Sequence, residues 1–236
     1  MEAAEWLINY HWEKNIDCDE ILKNLHDGNS LIVIKNFPLD DNELQSFIYR
    51  LGITLKEIRN NKGKDVFDVK ITRQNNYFTS VANSNLAFPL HTDCADFDSV
   101  PNAIGLLCVE PADKDQGSNS FMFLNSFLEN LSHNEKQKLL TKKWKFRNQE
   151  RSILSEVNEI FTICFDKITM ESFSELSSDE IEELNELDKL FKSLSVKIKL
   201  DKSDLILFRN DLMLHGRDEI DINSNRLLKR IRFYVK

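Results

Sequence analysis

The chain has 236 residues, enough for one domain with a sizeable hydrophobic core. Hydrophobic residues make up 41% and charged residues 30% of the chain, a balance that excludes a disordered polypeptide. The formal net charge of −8 disfavours broad nucleic-acid binding, which needs a basic surface, but it leaves room for a local basic pocket.

The first half of the chain alternates between helical and strand-like patterns. Helical spacing at residues 3–13 and 18–25, the latter with Asp17 or Asp19 as N-cap, predicts two N-terminal helices. A third helix is expected over residues 41–51, with Gly52 as its C-terminal stop. Apolar or alternating runs predict strands at residues 31–37, 65–72 and 103–109.

The second half contains a helical segment followed by strands. Residues 127–142 and 177–193 have helical periodicity, and the second helix carries its apolar stripe at Ile181, Leu184, Leu187 and Leu190. Strands are predicted at residues 196–200, 204–208, 212–215 and 226–235. Strands on both sides of a helical insertion, at about residues 125–193, predict an α+β fold. Since no linker or repeat divides the chain, we expect a single domain over residues 1–236.

The cysteines and the N-terminus indicate a reducing, aqueous environment. The four cysteines are scattered without a C-x-x-C pair, so neither a disulfide framework nor structural zinc is predicted. The segment MEAAEWLINYHWEKN is acidic where a signal peptide is basic, and no run approaches the roughly 18 apolar residues of a membrane span. We expect a cytoplasmic protein without membrane or nucleic-acid partners.

A possible metal ligand pair occurs in the segment FPLHTDCADF. His91 and Asp93 form an H-x-D pair, and residues i and i+2 of a strand point to the same face, so both side chains can reach one ion. Taken alone, the pair is better explained as two residues of an exposed strand. His215, which follows two apolar runs in DLILFRNDLMLHGR, adds a second imidazole and so favours a metal site over an exposed strand. Two imidazoles and one carboxylate are the ligand set of mononuclear non-haem iron(II) sites.

The C-terminal strand predicts an anion site. In NRLLKRIRFYVK, Arg226, Arg230 and Arg232 fall on one face, with apolar side chains on the other. A solvated basic face is the simple interpretation. In an acidic chain, however, three arginines on one face also make a good bidentate carboxylate site, as an enzyme that uses 2-oxoglutarate requires.

Five ordered motifs resemble the taurine dioxygenase and clavaminate synthase-like group of iron(II)/2-oxoglutarate oxygenases. They are HTD from His91, AIGLLCVEPA over residues 103–112, QGSNS over residues 116–120, SDLILFRNDLMLHGR ending at Arg217, and RLLKR from Arg226. The resemblance extends over about residues 86–234. It implies a double-stranded β-helix (jelly-roll) core with N-terminal helices and a helical insertion.

The resemblance also implies the site. His91, Asp93 and His215 match the iron ligands, and Arg226, eleven residues after His215, matches the arginine that pairs with the distal carboxylate of 2-oxoglutarate. Arg230 matches a position that contacts co-substrate or substrate.

Two positions depart from the family pattern. Asn119, with Ser118 and Ser120 beside it, stands where a threonine usually assists 2-oxoglutarate binding. Arg209 replaces the usual aspartate before Asn210.

The implied cofactors are Fe(II), 2-oxoglutarate as co-substrate and O2, and the implied reaction is hydroxylation of an unactivated C–H bond. A retained Asp93 argues against halogenation, because halogenating relatives lack this carboxylate. Arg230 and the polar residues before the metal strand favour a small carboxylate-bearing substrate, such as an amino acid or biosynthetic intermediate, free or carrier-bound. By resemblance, Asn83, Asn85 and Phe88 are candidate substrate contacts, although loop packing explains each equally well.

Other functions remain open at this stage. A jelly-roll protein that binds metal or ligand without turnover is one alternative, and desaturation or epoxidation by the same enzyme class is another. A zinc hydrolase with the same ligands lacks an evident general base and does not explain the arginine strand.

Overall fold

Two β-sheets that face each other form the centre of the molecule. The computed structural model describes residues 6–56, 63–74, 77–78, 80–113 and 115–236. The strands that build the two sheets are β1 (Leu7–His11), β2 (Leu31–Lys35), β3 (Gly52–Thr54), β4 (Val66–Val69), β7 (Phe88–His91), β8 (Ala103–Glu110), β9 (Asn119–Phe123), β14 (Val196–Ile198), β15 (Leu205–Arg209), β16 (Met213–Arg217) and β17 (Leu227–Val235).

Helices and small hairpins surround these sheets. The helices are α1 (Cys18–Asp27), α2 (Asp41–Leu51), α3 (Leu124–Glu129), α4 (His133–Thr141), α5 (Lys167–Ser172) and α6 (Ser178–Leu194). The hairpins pair β5 (Arg73–Gln74) with β6 (Tyr77–Phe78), β10 (Trp144–Phe146) with β11 (Gln149–Arg151), and β12 (Leu154–Val157) with β13 (Ile160–Ile163).

The larger sheet has seven strands in the order β1-β2-β15-β8-β17-β3, with β4 also paired to β17. Only the β1–β2 pair is parallel among its recorded pairings. The smaller sheet has four antiparallel strands in the order β14-β9-β16-β7. Strand neighbours are therefore mostly distant in sequence, which brings the H-x-D strand β7 beside the His215 strand β16.

Apolar side chains of both sheets fill the space between them. Phe208 of the larger sheet and Phe121 of the smaller sheet meet edge to face with ring centroids 5.1 Å apart. They belong to one buried cluster with Ile104, Leu106 and Met213. Helices α1 and α2 cover the opposite face of the larger sheet, whereas α3, α4, α5 and α6 pack behind the smaller sheet. The structure is therefore a mixed α/β fold whose insertion between β9 and β14 supports the sheet that carries both histidines.

Three helices follow the predicted pattern closely. In α1 and α2 the side chains of Asp17 and Asp40 accept hydrogen bonds from main-chain N–H groups of the first turn. In α6 Ser177 and Glu180 form a capping box. The predicted stripe of α6 is buried at Leu184 and Leu187, whereas Ile181 is exposed.

The predicted N-terminal helix over residues 3–13 is wrong where the structure describes it. Residues 7–11 form β1, which pairs in parallel with β2. Trp6 and Leu7 pack into the core between the sheets, while Tyr10 and Trp12 pack under α1 and α2. Long-range pairing with an apolar strand outweighs the local helical spacing here.

The predicted helix over residues 127–142 is two helices, because Ser132 starts α4 with its own capping box. The hairpins between Trp144 and Ile163 were not expected, since their strands are short and partly exposed. Within the described part of the chain, no helix has the length and apolar character needed to cross a membrane.

Candidate metal and co-substrate site

His91, Asp93 and His215 converge at the edge where β7 meets β16. His91 and His215 are direct register partners in this antiparallel pair, and their ring centroids lie 4.3 Å apart. Asp93 follows two residues after the end of β7, and its Oδ1 lies 3.7 Å from Nε2 of His91. One ligand atom from each of the three side chains lies within 4.8 Å of the others, and all three residues are buried.

Gly216 allows β16 to approach β7 this closely. A Cβ atom at this position would lie 2.7 Å from the carbonyl oxygen of Phe88, a main-chain atom that cannot easily move. The register of the pair also shifts between His215 and Arg217. The glycine after His215 in the HGR motif is therefore a requirement of strand packing at the site.

The main chain of Asp93 is held by Asn210. The Asn210 side chain is fully buried; its Oδ1 accepts from the Asp93 N–H at 2.9 Å. Its Nδ2 donates to the carbonyl groups of Asp93 at 3.1 Å and Pro101 at 2.7 Å. Asp93 thus reaches the histidines from a turn fixed by this amide, and strand alternation does not place it.

Two arginines of β17 bind the Asp93 carboxylate. Arg232 donates from Nε to Oδ2 at 2.9 Å and from Nη2 to Oδ1 at 3.2 Å. Arg230 donates from Nη1 to Oδ1, also at 3.2 Å. Burial alone would raise the pKa of Asp93, but Arg230 and Arg232 outweigh burial and hold this pKa well below its ordinary value. Asp93 is therefore ionised throughout the neutral range.

The histidines present lone pairs suited to a metal. The Nδ1 atom of His91 lies 2.9 Å from the carbonyl oxygen of Pro89, which favours a proton on Nδ1 and a lone pair on Nε2. Within the described residues, the buried Nε2 of His91 and Nδ1 of His215 have no hydrogen-bond partner. Burial, and then the neighbouring His91, lowers the pKa of His215 well below its ordinary value. Two imidazole nitrogen atoms and one carboxylate fit a divalent metal ion such as iron(II).

A narrow pocket opens beside the two histidines. It encloses about 40 Å³, or about 400 Å³ with the space at its open mouth. Val69, Ala82, Phe88, Leu106 and Leu228 form its apolar wall.

Arg226 and Asn119 lie together in this pocket. Nη2 of Arg226 donates to Oδ1 of Asn119 at 3.2 Å, and both residues are buried. Burial, and to a smaller extent Arg217, lowers the pKa of Arg226 to about 10, so this guanidinium stays charged at neutral pH. A buried cation with only a neutral amide as its recorded hydrogen-bond partner fits a carboxylate ligand.

Of the predicted substrate residues, Phe88 and Arg230 reach the pocket. The Phe88 ring stacks on His91 with centroids 3.8 Å apart. The Arg230 guanidinium lies 5.0 Å from the centroid of the Phe67 ring, in addition to its contact with Asp93.

The structure places Asn83, Asn85 and Ser118 away from the pocket lining. The Asn83 amide donates to the carbonyl groups of Asp68 and Lys70 and so fastens its own loop. Asn85 and Ser118 each contribute a main-chain carbonyl, to the N–H groups of Ile220 and Asp218, respectively. For these three residues the recorded contacts support loop packing.

Arg217 and Asn210 were not identified from the sequence as site residues, and Arg232 was predicted only as part of the basic face of the C-terminal strand, with no contact to Asp93. Nη2 of Arg217 donates to the carbonyl groups of Ser84 and Leu86, which fixes the loop before β7. Arg232 shares the predicted strand face with Arg226 and Arg230, but in the structure it binds the Asp93 carboxylate. The position of Asn210 beside the HGR motif gave no indication that it binds the Asp93 main chain.

A buried two-histidine, one-carboxylate cluster beside an arginine pocket defines a candidate metal-dependent enzyme that binds an anionic ligand. The sequence profile described as "Taurine catabolism dioxygenase TauD, TfdA family" matches residues 3–152, more than half of the chain. The chain belongs to this family of dioxygenases. The predicted family and enzyme class, an iron(II)- and 2-oxoglutarate-dependent dioxygenase, are thereby confirmed.

Solved structures with the same fold agree with this assignment. An asparagine oxygenase has 17% identity and a TM-score of 0.73, over 92% of this chain and 78% of its own. The non-haem iron oxygenase OrfP, solved with Fe and alpha-ketoglutaric acid, has 15% identity and a TM-score of 0.74, over 95% and 81%. PvcB from Pseudomonas aeruginosa has 18% identity and a TM-score of 0.72, over 93% and 80%. At these identities the likeness shows the fold alone. No curated protein matches the sequence significantly.

The family and the co-crystallised ligands of these neighbours agree with the predicted cofactors, Fe(II), 2-oxoglutarate and O2.

Proposed function

We propose that the protein hydroxylates an unactivated C–H bond of a small carboxylate-bearing molecule, such as an amino acid or a biosynthetic intermediate. The observation that carries this proposal is the convergence of His91, Asp93 and His215 beside the buried Arg226. Two proteins of similar fold are an asparagine oxygenase and the oxygenase OrfP, of which a mutant was solved with (3S)-hydroxy-L-Arg, and this favours an amino-acid substrate.

In this proposal His91, Asp93 and His215 hold the iron. The contact with Pro89 favours the His91 tautomer whose Nε2 lone pair faces the site, and Asp93 stays ionised, so this carboxylate requires no deprotonation at neutral pH. Iron(II) with 2-oxoglutarate supplies the oxidising chemistry with O2. The chain's own residues fix the ligand geometry and keep the reacting C–H bond in a largely apolar pocket.

Arg226 and Asn119 are the proposed partners of the distal carboxylate of 2-oxoglutarate. The charge of Arg226 would be compensated by this anion, and the fork of the guanidinium suits a carboxylate. Asn119 replaces the threonine of the family pattern. Because its Oδ1 already accepts from Arg226, its Nδ2 is oriented as a second donor.

Phe88 and Arg230 form the proposed substrate side. Phe88 covers one face of the His91 ring and, with Val69 and Ala82, gives the pocket an apolar wall that limits water. Arg230 lies at this wall over the Phe67 ring, where its charge suits a substrate carboxylate. A free molecule and one attached to a carrier both satisfy this arrangement.

We further propose that the two facing sheets constitute one double-stranded β-helix domain with a helical insertion. The crossing order of the strands supports this, since sequence-distant strands are neighbours in both sheets. A cytoplasmic location is proposed as well, because no disulfide joins the four cysteines, which all lie in the described part of the chain, as is usual in a reducing compartment.

Anaerobic addition of iron(II) and 2-oxoglutarate to the metal-free protein tests the cofactor site. We expect a weak visible charge-transfer band that is lost in His215→Ala and weakened in Arg226→Ala. His26→Ala and Arg209→Ala are the matched controls, because His26 contacts only the C-terminal carbonyl among recorded hydrogen bonds and Arg209 pairs with Asp211. A folded protein that binds metal without this band would favour the non-catalytic binding protein.

The reaction itself is tested by product analysis. We would incubate the iron-loaded protein with O2, 2-oxoglutarate and single amino acids, and measure succinate together with a mass increase of one oxygen atom in the amino acid. Loss of two hydrogen atoms in place of oxygen gain would indicate desaturation. Succinate release without any modified amino acid would exclude the tested compounds as substrates.

A further inference from the structure

Arg232 is held in the interior of the larger sheet, on the side of Asp93 away from the pocket. It lies in the middle of β17, where Ile104 of β8 is its register partner. Its carbonyl accepts from the Leu55 N–H at 2.8 Å. The residue is 7% exposed and does not line the pocket beside the histidines. Strand pairing thus fixes the main chain of Arg232, and the contacts with Asp93 fix its guanidinium group.

Arg230, two residues earlier on the same strand face, is equally buried but differs from Arg232 in its surroundings. Arg230 lines the pocket and rests on the Phe67 ring. Its recorded contacts with Asp93 are made by Nη1, at 3.2 Å from Oδ1 and 3.1 Å from Oδ2. Arg232 instead uses two nitrogen atoms, with the shortest of these contacts from Nε to Oδ2 at 2.9 Å. A two-point fork defines the rotation of a carboxylate, whereas one nitrogen between both oxygens does not.

The charges support the same distinction. Two guanidinium groups contact one carboxylate, so Arg232 alone is sufficient to neutralise Asp93. Arg230 can then turn toward an anion in the pocket without leaving Asp93 unpaired in a buried position. Arg232 does not line the pocket, so it cannot turn toward an anion bound there.

We propose that Arg232 is a positioning residue that fixes the rotation of the Asp93 carboxylate, so that Oδ1 faces His91, while Arg230 is the exchangeable partner. This inference rests on the proposed metal site. Asn210 fixes the main chain of Asp93 and Arg232 fixes its carboxylate, so the third ligand is oriented at both ends. Partners that orient metal ligands in this way typically change metal affinity by about 10- to 100-fold when replaced.

Arg232→Lys separates orientation from charge, because lysine keeps the positive charge but has no planar fork. Arg209→Lys is a matched control, since Arg209 makes an equivalent fork to Asp211 at 2.8 and 2.7 Å outside this pocket. The metal-free proteins would be titrated anaerobically with Co(II), whose visible absorption reports both affinity and ligand arrangement. Unfolding temperatures measured without metal show whether each variant is folded.

We expect Arg232→Lys to lower the Co(II) affinity by about tenfold or more and to change the visible spectrum. Arg209→Lys should leave both unchanged. In an Asp93→Ala background, Arg232→Lys should have no further effect on the residual affinity, because the group that it orients is absent. If Arg232→Lys does not fold, Arg232→Gln provides the same spectral comparison.

The outcomes separate this inference from the proposed function. A wild-type protein that binds no Co(II) would refute the metal site itself. A wild-type protein that binds Co(II), with a folded Arg232 variant of unchanged affinity and spectrum, would overturn the positioning role alone. An equal effect of Arg232→Lys with and without Asp93 would mean that Arg232 only supports the sheet, which also overturns the inference.

Discussion

Replacement of Arg226 by methionine should have opposite effects on stability and on ligand binding. Arg226 is a buried cation whose recorded side-chain partner is the neutral Asn119. Burial lowers its pKa from 12.5 to about 10, so its charged form is disfavoured by about 3 kcal/mol in the folded protein. Methionine removes this cost and is compatible with the neighbouring Leu106 and Leu228 of the pocket wall.

The expected magnitudes follow from these contacts. The lost hydrogen bond to Asn119 costs about 1.5–3 kcal/mol, as for other bonds to charged groups. The two effects nearly cancel, so the free energy of unfolding of the metal-free protein should stay constant or rise by about 1 kcal/mol. Binding of 2-oxoglutarate should weaken by about 2–5 kcal/mol, or roughly 30- to 5,000-fold, because the ligand carboxylate loses its charged partner.

Denaturant unfolding of the metal-free protein and anaerobic calorimetry with Mn(II) and 2-oxoglutarate measure the two quantities. Arg217→Met is the control in the same pocket. Nη2 of Arg217 donates to two main-chain carbonyls, at 3.0 and 2.7 Å, which methionine would leave unpaired. We therefore expect Arg217→Met to lose about 2–4 kcal/mol of stability. An Arg226→Met variant that loses more than about 3 kcal/mol of stability, yet binds 2-oxoglutarate within threefold of wild type, would refute the reasoning.

Three further predictions concern the metal ligands and their supports. The folded-state pKa of His215 lies below its ordinary value of 6.5, so as the pH falls the unfolded chain binds this proton first. The metal-free protein should therefore lose stability below pH 6.5, by up to about 1.4 kcal/mol per pH unit from this group. Denaturant titrations at several pH values measure this slope, which His215→Gln should flatten. Gly216→Ala should lower the free energy of unfolding by about 1–3 kcal/mol and weaken Co(II) binding, because the added methyl group meets the Phe88 carbonyl. Unchanged binding and stability would disprove the packing argument. Asn210→Ala should lower the free energy of unfolding by about 2–4 kcal/mol, because it leaves the buried Asp93 N–H without its acceptor. Thermal unfolding measures this loss.

The cluster of His91, Asp93 and His215 was predictable from the sequence because short motifs carry it. H-x-D placed His91 and Asp93 together, and the HGR motif identified His215 among five histidines. The role of Arg226 was implied by the family resemblance, in which an arginine lies eleven residues after the second histidine. These positions depend on local chain order, and the strand pairing of β7 with β16 then brings the motifs together.

Other features depend on contacts between distant parts of the chain. Residues 7–11 have helical spacing, yet they form β1 because β2 offers an apolar partner strand. Asn83 has the polarity of a substrate contact, but its amide binds two carbonyls of a neighbouring segment. The sequence also cannot show that Arg230 contacts Asp93, since 137 positions separate them and the contact depends on how the two sheets face each other.

The distribution of charge explains how an acidic protein forms an anion site. Four buried arginines, Arg217, Arg226, Arg230 and Arg232, lie in and around the pocket, whereas the formal net charge of the chain is −8. The recorded side-chain partners of Arg217 and Arg226 are main-chain carbonyls and the neutral amide of Asn119. Burial of these two cations opposes folding of the metal-free protein, so the binding of a dianion such as 2-oxoglutarate should relieve a cost already present. Under the proposed function, in which 2-oxoglutarate pairs with Arg226, an anionic substrate is favoured because Arg230 lines the pocket and can exchange Asp93 for another carboxylate.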